Sequence, residues 1–163
     1  MMMKTAPPAL AIPALIALVS ILSTACADPA GPAQRSREAQ SAAIFEEVFR
    51  FEIQQFAARS PENARAAVCL AIVERAGAGP ADPSADLMER FSGGSGVVPD
   101  SRCPASGALK VTAGPIDWVS ATEVQVKATS RSATTALKAA TYRVVWEADA
   151  WHCVGPILGY DPL

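Results

Sequence analysis

Few residues in this sequence are of a type that does chemistry. His152 is the only histidine. Glu147 is expected to lie across a hairpin from it. An imidazole oriented by a carboxylate is an acid–base pair. The same two residues also make an ordinary surface contact between strands, contributing about 0.2–1 kcal/mol. A serine triad would have His152 alone to draw on, and Gly93-Gly94-Ser95-Gly96-Val97 lacks the closing glycine of a nucleophile elbow. One histidine and no C-x-x-C give no metal-binding motif. No glycine loop is followed by Lys and Ser or Thr, so no phosphate cradle is present. Glu46 and Glu47 are neighbours on a helix and face solvent. The sequence therefore offers His152 and Glu147 as its candidate catalytic pair, and no cofactor.

The cysteines carry a different chemistry. Cys69, Cys103 and Cys153 belong to an oxidising compartment if the chain is exported, and an odd number leaves one unpaired. Cys69 with Cys103 is the favoured pair, because it would pin a long Gly/Ser/Pro loop to an apolar strand. Closing a loop of that length stabilises by roughly 3–4 kcal/mol. Cys153 would then be a buried free thiol acting as a small hydrophobe. Cys69 with Cys153 is the rival pairing.

Export is read from the first residues. Met1 to Ala25 has the build of a signal peptide, with Lys4 ahead of an uncharged, mostly apolar run from Ala9 to Leu22 that is short for a membrane span. Leu22-Ser23-Thr24-Ala25-Cys26 resembles the lipobox of bacterial lipoproteins, with Ser23 where Leu is usual. That resemblance implies cleavage before Cys26 and a lipid on its thiol. Ala25-Cys26-Ala27 also fits simple export, with release of a chain starting at Asp28. Residues 26–36 have linker composition, and Asp28 to Ser36 would reach at most about 30 Å. A lipid on Cys26 would therefore hold the domain just clear of a membrane surface. The rest, residues 37–163, is expected to be one domain in the cell envelope or outside the cell.

The chain has 163 residues and a net charge of −2. It contains no basic stripe, so nothing in it marks nucleic acid as a partner. Aromatic residues are only 6% of it, and they concentrate in Phe45 to Phe56, at Phe91 and in the final hairpin.

That hairpin, Thr141 to Leu158, anchors the expected fold. Tyr142, Val144 and Trp146 alternate with polar or smaller neighbours, and Trp151, Cys153 and Ile157 resume the pattern. A turn centred on Asp149 and Ala150 would set Trp146 opposite Cys153, Val144 opposite Gly155, Tyr142 opposite Ile157 and Trp151 opposite Ala148. Glu147 with His152 and Val145 with Val154 would take the other face. Asp-Ala is not a preferred two-residue turn, so a four-residue loop with the same pairing is the alternative.

Upstream, Arg37 to Arg59 predicts the longest helix. Phe45, Phe49, Ile53 and Phe56, widened by Ile44, Val48 and Phe51, form its buried stripe; Glu46, Glu47, Glu52 and Gln55 are expected on the outer side. Ser60-Pro61 ends it. Ala66 to Val73 is apolar throughout and has the length of a buried strand, with a helical turn as the alternative. Asp82, as N-cap, opens a short helix through Phe91, with Leu87, Met88 and Phe91 inward. A long loop then runs to Gly107. Leu109 and Val111 precede a break at Gly114-Pro115. Trp118 opposite Val124 and Ile116 opposite Val126 require an odd loop, Ser120 to Thr122.

The expected fold class is α+β: a long N-terminal helix and a short second helix on an antiparallel sheet of four to five strands. This order of elements is similar to the cystatin-like and NTF2-like plan. With Cys69-Leu70-Ala71, Asp82-Pro83-Ser84, Ser101-Arg102-Cys103 and Tyr142-Arg143-Val144, it also resembles small exported bacterial proteins of unassigned function, although Cys153 stands where those carry an aliphatic residue. That likeness implies no activity. Two function classes remain: an envelope binding domain, taking an apolar small ligand or an envelope protein as partner and held to the membrane by its lipid, or a small envelope enzyme built on His152 and a carboxylate. The scarcity of acid–base residues favours binding.

Overall fold

A computed structural model describes residues 36–93, 96–133 and 136–162. The expected leader, Cys26 and nearly all of the tether lie outside the described residues. The fold is α+β, with two helices on a six-stranded sheet.

Helix α1, Arg37–Ala57, starts where Ser36 accepts a hydrogen bond from the Ala39 amide at 3.2 Å. Its other end is tied by Asn63, whose side-chain amide donates to the Phe56 carbonyl. Ile44, Phe45, Val48, Phe49 and Phe56 are buried, as the stripe predicted, with Phe51 and Ile53 half-buried. Burying one such side chain contributes about 1.5–3 kcal/mol. Glu52 departs from expectation: only 3% of it is exposed. Position 52 lies three after Phe49 and four before Phe56, at the centre of the stripe. Residue type argued for the outside, and spacing decided otherwise.

The strands are β1 (Val68–Ile72), β2 (Val97–Pro99), β3 (Leu109–Trp118), β4 (Glu123–Arg131), β5 (Lys138–Glu147) and β6 (Ala150–Pro162), in sheet order β2-β1-β3-β4-β5-β6. The sheet is mixed rather than antiparallel, because β1 runs parallel to both β2 and β3. β2 lies within what the sequence presents as loop, being three residues long and followed at once by a 3₁₀ turn, Asp100–Arg102. The uninterrupted apolar run of β1 follows from its position: Val68, Leu70 and Ile72 share one face, while Cys69 and Ala71 are buried on the other. Cys69 and Cys103 stand at disulfide distance, with sulfurs 2.04 Å apart and a sequence separation of 34. This link pins the Asp100–Arg102 turn behind β1.

Ile116 pairs with Val126 and Trp118 with Val124, as the parity required, and the Val119 amide donates to the Glu123 carbonyl to close the loop at Ser120–Thr122. The break at Gly114-Pro115 is a register shift inside a continuous β3. Gly114 has φ +112°, and a Cβ there would sit 2.1 Å from the Val73 carbonyl oxygen. No other residue fits.

The last hairpin differs from its expected register by two residues. Trp146 pairs with Trp151, Val145 with His152 and Val144 with Cys153. The turn is Ala148-Asp149, both with positive φ (48° and 65°), the type I′ pattern that matches strand twist. A two-residue shift preserves parity, so Trp146, Trp151, Val144 and Tyr142 still share the inner face. Beyond the bulge at Gly155 the alternation changes. Tyr142 pairs with Pro156, and Ile157 is turned out, 43% exposed.

Helix α2, Ala85–Glu89, is capped by Ser84, not Asp82: the Ser84 hydroxyl accepts from the Leu87 amide. Asp82 instead accepts from the Ser101 amide at 3.0 Å, tying the entrance of α2 to the turn before Cys103. Leu87 and Phe91 are buried against α1, with Phe91 edge-on to Phe49.

Candidate functional site

The register of the β5–β6 hairpin separates the two candidate acid–base residues. Glu147 pairs with Ala150, and His152 with Val145. The His152 ring nitrogen lies 3.1 Å from the backbone carbonyl of Glu147, not from its carboxylate, and both side chains are exposed. Cys153 is the free cysteine among the described residues; burial pushes its thiol up to about 11, with Glu47 and Glu52 adding to the effect. A thiol held protonated in this way is a poor nucleophile.

A second titratable pair lies under α1. Tyr142 is fully buried, and its hydroxyl donates to the Glu52 carboxylate. The Phe51 ring lies 5.5 Å from the Tyr142 ring and walls off one side. This pair satisfies a buried carboxylate with a buried phenol, and it joins α1 to β5. The sequence signal was position 52 in the helical stripe, together with an inward-facing tyrosine near the start of the predicted hairpin.

At the other end of α1 the surface opens. A cleft of about 450 Å³ lies between the first turns of α1, the end of β1, the entrance of α2 and the second half of β3. Phe45, Leu87, Ile72 and Ile116 form its apolar floor, and Trp118 stands in its wall. Three carboxylates border it, Glu38, Glu74 and Asp82. The hydrogen bond from Ser101 holds Asp82 below the usual carboxylate range. Glu38 and Glu74 form no ion pair among the described residues. Glu38 does sit in the first turn of α1, where the helix dipole favours it. Behind Trp118 the Trp151 and Trp146 rings stack edge to face in turn, with centroids 5.8 and 5.6 Å apart. Trp151 is buried, and its indole N–H has no partner among the described residues.

Two other hollows differ in charge. In one, Arg50 and Arg90 are both held on Glu46, at 2.8 and 2.9 Å. In the other, Lys110 is held by Asp100 at 3.0 Å. The cations of the first hollow are answered within the fold, but Arg131, which lines the second beside Lys110, forms no ion pair among the described residues, and neither do two carboxylates of the cleft at Trp118. Sequence reading missed this cleft because its residues come from four separate elements, and none of them forms a motif.

No family model matches this chain, and no curated protein or solved structure matches it.

Proposed function

We propose that this chain is a non-catalytic binding domain of the cell envelope, tethered through a lipid on Cys26, whose binding site is the cleft beside Trp118. One observation carries the reading: a cleft of about 450 Å³ with an apolar floor, an aromatic wall and a few polar groups at its border. Small-ligand sites have this size and make-up. The cleft adjoins the first turns of α1, so the tether would bring it close to a membrane surface. The linked Cys69 and Cys103 agree with an oxidising compartment.

Two measurements test the reading. Fragment screening by NMR on the full chain is expected to map binders to Phe45, Ile116 and Trp118, and Trp118→Ala is expected to abolish their binding. Binders that map only elsewhere would remove the cleft from consideration. For the anchor, labelling of cells with a clickable palmitate analogue is expected to mark the chain, and Cys26→Ser to abolish the label and release the protein from membranes.

A further inference from the structure

Resting on that reading, we propose that the cleft takes a ligand with an apolar body and a cationic head, such as an alkylammonium, and that Arg37 occupies the head's position when the cleft is empty. The guanidinium carbon of Arg37 lies 4.7 Å from the centre of the Trp118 ring. This is the geometry in which an aromatic face attracts a cation. Arg37 forms no ion pair among the described residues. An internal cation thus rests on the ring of Trp118, and that ring lines a cleft bordered by three carboxylates. It is the first residue of α1 and is exposed, so it leaves at little cost.

The charge around the ring selects the ligand's sign. Glu38, Glu74 and Asp82 all face the same opening as Trp118. Low-dielectric walls concentrate such a field and favour cationic ligands. The carboxylates do not select a metal: among the described residues no three His, Cys, Asp or Glu groups converge closely enough to hold an ion. A diffuse organic cation needs no such convergence. It needs an aromatic face, nearby negative charge and room for its apolar part, and Phe45, Leu87 and Ile116 supply the last.

The test compares three probes of equal tail length on the full chain by isothermal titration calorimetry: hexyltrimethylammonium, hexanol and hexanoate. The cation is expected to bind at least about tenfold tighter than the alcohol, and hexanoate weakest. Arg37→Ala is expected to tighten the cation several-fold while leaving hexanol unchanged, because a competing cation is removed and the floor is not. Trp118→Phe should keep part of the preference, since it keeps an aromatic face, and Trp118→Leu should lose it. Glu74→Gln should narrow the gap between cation and alcohol. Hexanol binding in the cleft as tightly as the cation, or Arg37→Ala weakening the cation, would overturn the charge assignment and leave the binding site standing. None of the three probes binding would overturn the site together with the assignment.

Discussion

The two ends of helix α1 both bring carboxylates to aromatic rings, and they do so in opposite ways. Toward the C-terminal end, Glu52 is buried and Tyr142 donates to it, with Phe51 alongside. Toward the N-terminal end, Glu38 stands at an open cleft with Glu74 and Asp82, beside a tryptophan already covered by Arg37. A buried carboxyl group with its partner supplied by the fold has no interaction left for a ligand. An open cleft with unanswered charge does. The difference separates a residue pair that locks helix to sheet from a surface that can select what it binds.

Breaking the link that braces the open end should have the largest effect. The pair Cys69→Ser and Cys103→Ser is expected to lower stability by about 3–4 kcal/mol in urea denaturation. Hydrogen exchange should rise first in the Asp100–Arg102 turn and at Asp82, which borders the cleft and is tied to that turn, and least around Glu52 and Tyr142. Uniform loss of protection would show that the two ends are not separate.

Tyr142→Phe attacks the closed end. It leaves the Glu52 carboxylate buried without its phenol and is expected to cost about 2–3 kcal/mol. Adding Glu52→Gln should recover part of that loss, because the stranded charge is gone. Unchanged denaturation midpoints in Tyr142→Phe would mean that water reaches this pair, and the contrast between the ends would fail.

Glu38→Gln and Glu74→Gln are expected to stay within about 0.5 kcal/mol of the parent by the same measurement, as exposed groups without partners do. Glu46 lies between the two ends and gives a pH signature. Burial opposes its ionisation, but hydrogen bonds from Arg90 and Arg50 outweigh it and hold the carboxyl below its ordinary 4.5. Its contribution is therefore present above that pH and is lost as pH falls through the lowered value. Only 19% of the Glu46 side chain is exposed, but its partners Arg50 and Arg90 are 45% and 39% exposed, so solvent screens the pairs and Glu46→Gln should flatten the acid limb of the stability curve by about 1 kcal/mol or less.

The smallest effect concerns Cys153. Its thiol is raised above the ordinary 9.0 to about 11, so stability should be constant below pH 9 and decline as pH rises toward 11. Cys153→Ala should remove that decline. Iodoacetamide at pH 8 is expected to label Cys153 far more slowly in the native chain than in urea.

Much of this architecture was legible in residue order. Period and parity identified α1, the β3–β4 pairing and the inner face of the last hairpin, because local spacing sets which side chains share a surface; β1 was read from the length of its apolar run alone. Three errors had physical causes. The hairpin register slipped by two because the turn places Ala148, a residue that rarely takes positive φ, in a left-handed position. Ile157 turned outward because Val154 stands as an extra residue between Cys153 and Gly155, which reverses the alternation beyond it. β2 was missed because three residues carry too little period to read.

The sequence by itself determined the α+β composition, the aromatic stripe of α1 and the sheet face it covers, since these depend on contacts that repeat every few residues. Only the tertiary structure decided that Glu52 meets Tyr142, that β1 runs parallel to its neighbours, that Trp118, Glu38, Glu74 and Asp82 line one opening, and that Arg37 rests on the Trp118 ring. Those groups lie far apart along the chain, and no local rule fixes the distance between them until the sheet has closed against the helix.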